Sequence, residues 1–291
     1  MNSHDGTGHP QPGVPGEAHA GLERTLMAAD IGPLLADLAA ETEELTAALR
    51  GLDEPDWLTP TPAAGWDIKD QVSHLAYFDD VTTLAATDPD RFDIEVKKLT
   101  GLGEDFAAHV ALWYRDRSGS KLLTWFEQAR GTLLDTLGAV EPGTKLPWFG
   151  PPMSAPSSAT ARLMETWAHG QDVADALGVR REPTARLRHI AHLGVATVRW
   201  SFVVRQLPPP DSPIRISLTA PDGSLWQWGP PDAADVITGP ALDFCLLVTQ
   251  RRHHADLGLR ATGATAARFL EIAQVFAGPP GPGRPPGGQH P

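Results

Sequence analysis

The stretch from Ala161 to Gly178, ARLMETWAHGQDVADALG, constrains the fold more than any other part of the chain. Its apolar residues recur near the helical period and a glycine follows the last of them, a pattern that predicts one amphipathic helix. Glu165 and His169 lie four residues apart, so they stack one turn above the other on such a helix. A carboxylate and an imidazole so placed can bind one metal ion, although an ordinary exposed Glu–His pair has the same spacing.

Further helical segments precede this one. Apolar residues recur near the helical period over residues 30–49, 67–86, 92–117 and 121–137, and the third segment contains glycines that can break it. Asp67 is the predicted N-cap of the second helix, with Asp70 in the capping-box position three residues on. Residues 141–158 are expected to form a long irregular loop. These segments predict a mainly α fold with an N-terminal four-helix bundle over residues 23–180.

The pattern changes after Gly178. A helix is predicted over residues 184–205, where three prolines follow it. Residues 214–218 alternate apolar and polar side chains, a PDG turn follows, and SLWQW resumes the alternation, which predicts a hairpin. A third short strand and two more helices are expected in sequence order at residues 234–238, 241–254 and 265–276. Residues 181–277 are therefore predicted to be a smaller C-terminal α+β domain, with the boundary at residues 178–184.

Both ends of the chain have a different composition. Residues 1–22 and 278–291 are rich in glycine and proline and show no periodicity, so we expect disordered tails. The first tail has no basic start followed by an apolar run, and we therefore predict no secretory signal.

Charge and cysteine content exclude several classes of function. The 291 residues carry a formal net charge of −12, which argues against binding a nucleic acid backbone. No apolar run approaches the roughly 20 residues that span a bilayer, so no membrane association is expected. The single cysteine, Cys245, excludes an internal disulfide, makes the cytoplasm the simplest location, and is expected to pack in the core. We expect a monomer or homodimer that acts on a small-molecule substrate.

A third candidate metal ligand lies on the second predicted helix. His74 stands beside an apolar stripe, where a lone histidine is more often a hydrogen-bonded core residue than a ligand. An antiparallel bundle can nevertheless point His74 towards Glu165 and His169. Two imidazoles and a carboxylate suit zinc with an open coordination position, and nickel, iron and cobalt accept the same set. Asp172, three residues beyond His169, is either an outer ligand or supporting residue of the site, or a solvated acid.

Two arginines are candidates for holding an anionic substrate. Arg251 and Arg252 follow the apolar segment FCLLVTQ, and the planar fork of an arginine suits a carboxylate. A solvated pair at a helix C-terminus is the alternative. His253 and His254 are weaker candidates for assisting them. His189 and His192, three residues apart, are expected to lie on a helix surface, with a second metal site as the alternative.

Two long motifs resemble a known family. GWDIKDQVSHLAYF resembles the second-helix motif of the mycothiol-dependent maleylpyruvate isomerase family, within the DinB-like metal-binding four-helix bundles, and METWAHGQDVADALG resembles its later metal-binding helix. The resemblance spans about residues 27–178 and implies that His74, Glu165 and His169 hold a divalent metal, preferably zinc. DVITGPALDFCLLVTQRRH and FLEIAQVFAGPPGPGR resemble the C-terminal domain of an actinobacterial subgroup of these proteins.

The resemblance also implies a chemistry. Mycothiol would be the thiol cofactor, and its metal-activated thiol would attack a small electrophilic acid or natural-product intermediate, with Arg251 or Arg252 holding the anionic end. Loss of the thiol after bond rotation gives isomerisation, and retention gives S-transfer. Two alternatives stay open: a thiol-independent metal-dependent cyclase, hydrolase or lyase of secondary metabolism, and a non-catalytic metal-dependent binding protein.

Overall fold

A computed structural model describes residues 31–103, 106–281 and 283–287. The predicted tail at residues 1–22 and part of the tail at 278–291 lie outside the described residues. The α-helices are α1 (Gly32–Leu49), α2 (Ile68–Thr87), α3 (Pro89–Thr100), α4 (Phe106–Leu112), α5 (Gly119–Gly138), α6 (Ala155–Leu177), α7 (Leu187–Ala196), α8 (Val198–Val203), α9 (Ala241–Val248) and α10 (Ala264–Ile272). The strands are β1 (Lys145–Leu146), β2 (Met153–Ser154), β3 (Arg215–Thr219), β4 (Leu225–Trp228), β5 (Val236–Pro240) and β6 (Arg260–Thr262).

The four long helices α1, α2, α5 and α6 pack against one another as the predicted bundle. The mainly α fold class with a C-terminal α+β part is thereby confirmed. Within the described residues, no helix is both long enough and apolar enough to cross a bilayer.

Four predicted segments differ from the structure, and one of them, the helix predicted over residues 241–254, ends at Val248. The segment predicted over residues 92–117 breaks at its glycines, as the sequence allows, since Gly103 adopts a positive φ of 102° before α4, but α3 starts earlier than predicted, after the N-cap Asp88. The helix predicted over residues 184–205 is instead α7 and α8, because Thr197 between them leaves the helical conformation. The predicted loop at residues 141–158 holds the short antiparallel pair β1 and β2, and its last residues already belong to α6.

The C-terminal sheet has the strand order β4-β3-β5-β6. The predicted hairpin is β3 and β4, which pair antiparallel around a turn where Gly223 has a φ of 82°. The predicted third strand is β5, which runs parallel to β3, and β6 pairs antiparallel with β5. Ile216 of β3 and Ile237 of β5 are fully buried neighbours, so one face of the sheet packs on the helices.

One apolar cluster joins the bundle to the C-terminal region. Leu38 of α1 and Leu163 of α6 belong to the same buried cluster as Ile216, Phe244 and Phe269. Cys245 lies in this cluster, fully buried, as the sequence predicts. The core is therefore continuous across residues 178–184, where the sequence predicts a domain boundary.

Charged side chains reinforce the same junction. Arg181 and Arg186, in the segment that leads from α6 to α7, both pair with Glu41 and Glu44 of α1. The Nε atom of Arg186 lies 2.7 Å from Glu41, and the Nε atom of Arg181 lies 2.9 Å from Glu44. Because Glu41 is only 1% exposed, these pairs are shielded from solvent and hold the connecting segment against α1.

The far end of the bundle is closed by Trp57, which is buried with 2% exposure. Its indole lies against the backbone of Gly119 at the start of α5, so closely that a Cβ atom there would come within 2.3 Å of the ring. Only glycine fits this contact.

Candidate metal centre

A capping box sets the start of α2 and hence the position of His74. The Asp67 side chain accepts from the backbone N–H of Asp70, and the Asp70 side chain accepts from the backbone N–H of Asp67, as the sequence predicts. Arg115 fixes the same turn, since its Nε atom donates to Asp70 over 2.9 Å and its Nη2 atom donates to the Gly65 carbonyl. His74 follows about one turn later on a helix whose first turn is held rigidly.

The helix α6 supplies the other two candidate ligands. It begins at a cap formed by Ser154, which accepts from the N–H of Ser157, and ends at Gly178 in the left-handed conformation with a φ of 66°. Glu165 and His169 lie in its middle, and the Nε2 atom of His169 is 3.1 Å from the Glu165 carboxylate.

The packing of α2 against α6 brings these three side chains together. One ligand atom from each of His74, Glu165 and His169 lies within 4.8 Å of the other two. The Nε2 atom of His74 is 3.9 Å from the Glu165 carboxylate. Both histidines are 8% exposed, while the Glu165 side chain is 24% exposed, so the group is reached from one side. Two imidazole nitrogens and a carboxylate oxygen at this spacing can hold one divalent ion.

A chain of hydrogen bonds orients the ring of His169. Thr61 donates its hydroxyl proton to the Trp66 carbonyl, so its oxygen accepts from the Nε2 amide of Gln71. The remaining Gln71 atom, Oε1, faces Nδ1 of His169 and can only accept. Nδ1 of His169 therefore donates to Gln71, and Nε2 is the ring nitrogen that faces Glu165 and is placed to bind a metal ion.

The environment of His74 is apolar and aromatic. The ring centroid of His74 lies 4.7 Å from Phe78, 4.5 Å from His169 and 5.4 Å from Trp66. Trp66 also stacks on His169 with an interplanar angle of 13°. The Nδ1 atom of His74 is buried without a hydrogen-bond partner among the described residues.

These surroundings shift two pKa values downwards. Burial lowers the pKa of His74 well below its usual value, the charges of His169, Arg162 and Arg251 lower it further, and Glu165 opposes the shift. Burial alone would raise the pKa of Glu165, but the hydrogen bond from His169 and nearby positive charges lower it to about 2. His74 is therefore neutral and Glu165 ionised near pH 7, which are the forms that bind a metal ion.

A buried ionic network lies behind the candidate ligands. Asp79 of α2 is fully buried between Arg130 of α5 and Arg162 of α6, with N–O distances of 2.7 Å and 2.9 Å. Arg130 also donates to Thr166 over 2.9 Å, and Arg162 donates to the Leu75 carbonyl. Since one carboxylate serves two guanidinium groups, the network keeps one net positive charge close to Glu165.

Arg251 lies beside α6 near these ligands. Its Nη2 atom donates to Asp172 over 2.9 Å and its Nε atom donates to the Ala168 carbonyl, next to His169. Asp172 is fully buried and lies outside the three-ligand group, so it is a partner of arginine here and not a solvated acid. Arg252 has both ends of its fork bound to Asp175, at 2.7 Å and 2.8 Å, and is 9% exposed.

The remaining candidate histidines lie elsewhere. The Nε2 atom of His189 is 2.8 Å from Asp37, and His192 accepts from the indole of Trp228. His253 and His254 stack on each other, with ring centroids 4.3 Å apart. None of these residues belongs to the three-ligand group found within the described residues.

Sequence reasoning missed Gln71, Arg162 and Arg284 as neighbours of this site. Gln71 is close to His74 in sequence but contacts His169, so no spacing rule points to it. Arg162 precedes Glu165 by three residues on α6 and shows only as a charge in an otherwise apolar stretch. Arg284 stands in a segment rich in proline and glycine, where the sequence predicts no structure.

Comparisons with known proteins agree with this architecture. The family model of the mycothiol maleylpyruvate isomerase N-terminal domain matches residues 38–174, a range that contains all three candidate ligands. A second family model, described as wyosine base formation, matches residues 210–262, which hold the four-stranded sheet and α9.

Relatives and solved structures extend the likeness over most of the chain. Two uncharacterized proteins from two strains of Mycobacterium tuberculosis are each 51% identical over 256 residues, which cover 88% of this chain and 100% of the relative. Two crystal structures, of mycothiol-dependent maleylpyruvate isomerase and of a mutant of it, have TM-scores of 0.52 and 0.51 at 14% identity. They cover 77% of this chain and 90% of their own, and at this identity they show a shared fold. Residues 38–174 of the chain belong to the family of the mycothiol maleylpyruvate isomerase N-terminal domain.

Proposed function

We propose that this protein is a metal-dependent enzyme that uses mycothiol to isomerise a small electrophilic acid or natural-product intermediate, or to join the intact thiol to it by S-transfer. The observation that carries the proposal is the group formed by His74, Glu165 and His169, whose ligand atoms lie within 4.8 Å of one another. The choice of mycothiol as the thiol is supported by the matching family model and by the name of the enzyme whose crystal structures are similar.

The donor set fits a zinc ion. Both imidazoles present or can present an unprotonated nitrogen, and the carboxylate is ionised because its pKa is about 2. If the Nε2 atom of His74 is the ligand, its Nδ1 atom carries the proton and has no acceptor among the described residues. When bound, the metal ion lowers the pKa of a thiol so that a thiolate is available at neutral pH.

The side chains of the protein then have separate tasks. Gln71 holds His169 in the tautomer that leaves Nε2 free, and Trp66 and Phe78 restrict water around the two imidazoles. Arg251 holds the anionic end of the acid because it lies beside His169, where it contacts the Ala168 carbonyl, whereas Arg252 is directed at Asp175. Addition of a thiol to a conjugated acid forms a C–S bond and converts the C=C double bond into a single bond that can rotate. Loss of the thiol after rotation restores the double bond and isomerises the acid, and retention of the thiol gives S-transfer.

The proposal concerns a small-molecule enzyme of the cytoplasm. The single cysteine supports a reducing location, and the net charge of −12 supports a partner other than a nucleic acid.

Cobalt substitution tests the metal and the thiol together. The protein is loaded with cobalt in place of zinc and titrated with mycothiol, and we expect an intense charge-transfer band from a thiolate ligand. The matched control is the His169→Ala variant treated in the same way, which should bind little cobalt and give no band. A flat spectrum of the cobalt-loaded wild type at millimolar mycothiol would refute the thiol route and favour a thiol-free cyclase, hydrolase or lyase.

A further inference from the structure

The described part of the C-terminal segment contacts the protein beside the candidate metal centre. The Nη2 atom of Arg284 donates to the Asp172 carboxylate over 2.7 Å. The backbone N–H of Gly287 donates to both carboxylate oxygens of Asp256, at 2.9 Å and 3.0 Å. These two contacts hold residues 283–287 between α6 and the short 3₁₀ helix His254–Asp256.

Asp172 is shared by two arginines. Its Oδ2 atom accepts from Arg251 and its Oδ1 atom accepts from Arg284, while its own side chain is fully buried. One carboxylate thus faces two guanidinium groups, so the group retains one net positive charge. The neighbouring pair of Arg252 and Asp175 is matched one to one and has no such excess.

Arg284 has donors left for a ligand. Among the described residues it donates to Asp172 alone, although a guanidinium carries five N–H donors. The Arg284 side chain is 17% exposed, and each of its nitrogens either has a hydrogen-bond partner or is accessible to solvent. Its remaining donors therefore reach solvent. Arg251 is more fully used, since it also donates to the carbonyls of Ala168 and Thr249.

The arginine pair lies alongside the metal ligands. Asp172 follows His169 by three residues on α6, about 4.5 Å along the helix axis, and follows Glu165 by about 10 Å. Arg251 lies between Asp172 and the metal ligands, because it contacts the Ala168 carbonyl beside His169 and its charge lowers the pKa of His74. The arginine pair and the metal ligands therefore lie on neighbouring turns of α6.

We propose that Arg284 and Arg251 form an anion subsite that binds a carboxylate group of the ligand. Asp172 orients both guanidinium groups, and Arg284 supplies the excess charge and the open donors. The subsite extends the anion-holding task of Arg251 to the C-terminal segment and implies a ligand that carries an acid group. The identity of that ligand as the substrate rests on the proposed function, whereas the subsite does not require the metal.

Succinate is the probe for this subsite. Its binding is measured by titration calorimetry on the full chain, once metal-free and once loaded with zinc. We expect the Arg284→Ala variant to bind succinate about tenfold more weakly in both forms, since one charge-assisted hydrogen bond is lost. Arg284→Lys should recover much of the affinity because it keeps the charge. The matched control is Arg268→Ala, which removes an exposed arginine paired with Glu271 and should bind as the wild type does.

The outcomes are separable from those of the cobalt experiment. Equal affinity of Arg284→Ala and wild type, or no binding of succinate to either form of the wild type, would overturn the subsite. A charge-transfer band with mycothiol in that case would leave the metal and thiol proposals standing. A flat cobalt spectrum together with weakened succinate binding in Arg284→Ala would support the subsite and refute only the thiol.

Discussion

Gln71 of α2 accepts a hydrogen bond from Nδ1 of His169 on α6, although 98 residues separate the two in sequence. The bond joins the two helices that carry the candidate metal ligands. Because its direction is set by the Trp66 carbonyl at the other end of the chain of hydrogen bonds, the ring of His169 has one preferred tautomer.

Replacing Gln71 by leucine should weaken metal binding. The Nδ1 proton of His169 would lose its acceptor, and loss of such a supporting partner typically lowers metal affinity by about 10–100-fold. Competition with a chromophoric zinc chelator measures the change. Gln71→Glu keeps an acceptor and should retain most of the affinity, and Gln128→Leu, at an exposed position of α5, should change nothing. Equal zinc affinity in Gln71→Leu and wild type would contradict the role.

Removing a candidate ligand should have a larger effect. In His74→Ala and His169→Ala, zinc would keep only two protein ligands, so we expect affinity to fall by more than about 100-fold, beyond the effect of a supporting residue. Elemental analysis after dialysis against a weak chelator measures the occupancy. His254→Ala is the control, since His254 lies outside the three-ligand group. Full zinc occupancy in both ligand variants would end the assignment.

Acid should destabilise the metal-free protein in two stages. Both His74 and Glu165 have folded-state pKa values below their unfolded values, so each contributes stability above the unfolded pKa and loses it as the pH falls. The loss from His74 begins below about pH 6.5, and that from Glu165 falls between about pH 4.5 and 2. For Glu165 it amounts to about 3 kcal/mol if the whole shift is realised.

Thermal unfolding of the metal-free protein at successive pH values checks this dependence. His74→Gln should flatten the curve from about pH 6.5 downwards, and Glu165→Gln should flatten it only below about pH 4.5. Wild-type and variant curves that stay parallel over these ranges would show that neither group titrates as described.

Two glycines of α5 should respond oppositely to alanine. In Gly119→Ala the new Cβ would lie 2.3 Å from the ring of Trp57, and such overpacking typically costs about 1–3 kcal/mol. Gly131 has open space around its Cα, so Gly131→Ala should stabilise the helix by up to about 1 kcal/mol. Urea unfolding measures both free energies. A Gly119→Ala protein as stable as the wild type would mean that Trp57 can move away without cost.

Features fixed by neighbouring residues could be predicted from the sequence. The capping box of Asp67 and Asp70, the stop at Gly178 and the β3–β4 hairpin each depend on a few consecutive residues, and each is found in the structure. The stacking of Glu165 and His169 likewise follows from helical spacing. The glycines near residue 103 indicate a possible break, whereas the break at Thr197 has no such signal, because tertiary packing decides whether a helix continues past a threonine.

Contacts between distant segments could not be read from spacing. Bundle geometry only permits His74 to face α6, and the family resemblance was needed to favour that arrangement; the pairing of Gln71 with His169 gave no sequence signal. Arg252 and Arg251 are adjacent in sequence and looked equivalent. The structure separates them, because Asp175 binds both ends of the fork of Arg252, while Arg251 reaches Asp172.

The apolar cluster that joins Leu38 and Leu163 to Phe244 and Phe269 has a consequence for cooperativity. Neither part can open without exposing apolar surface of the other, so we expect the chain to melt in a single calorimetric transition. Residues of the C-terminal region that are distant from His169 then help to keep α6 folded. A substitution that leaves a cavity at Phe269 of α10 should therefore speed the loss of a bound metal ion on heating.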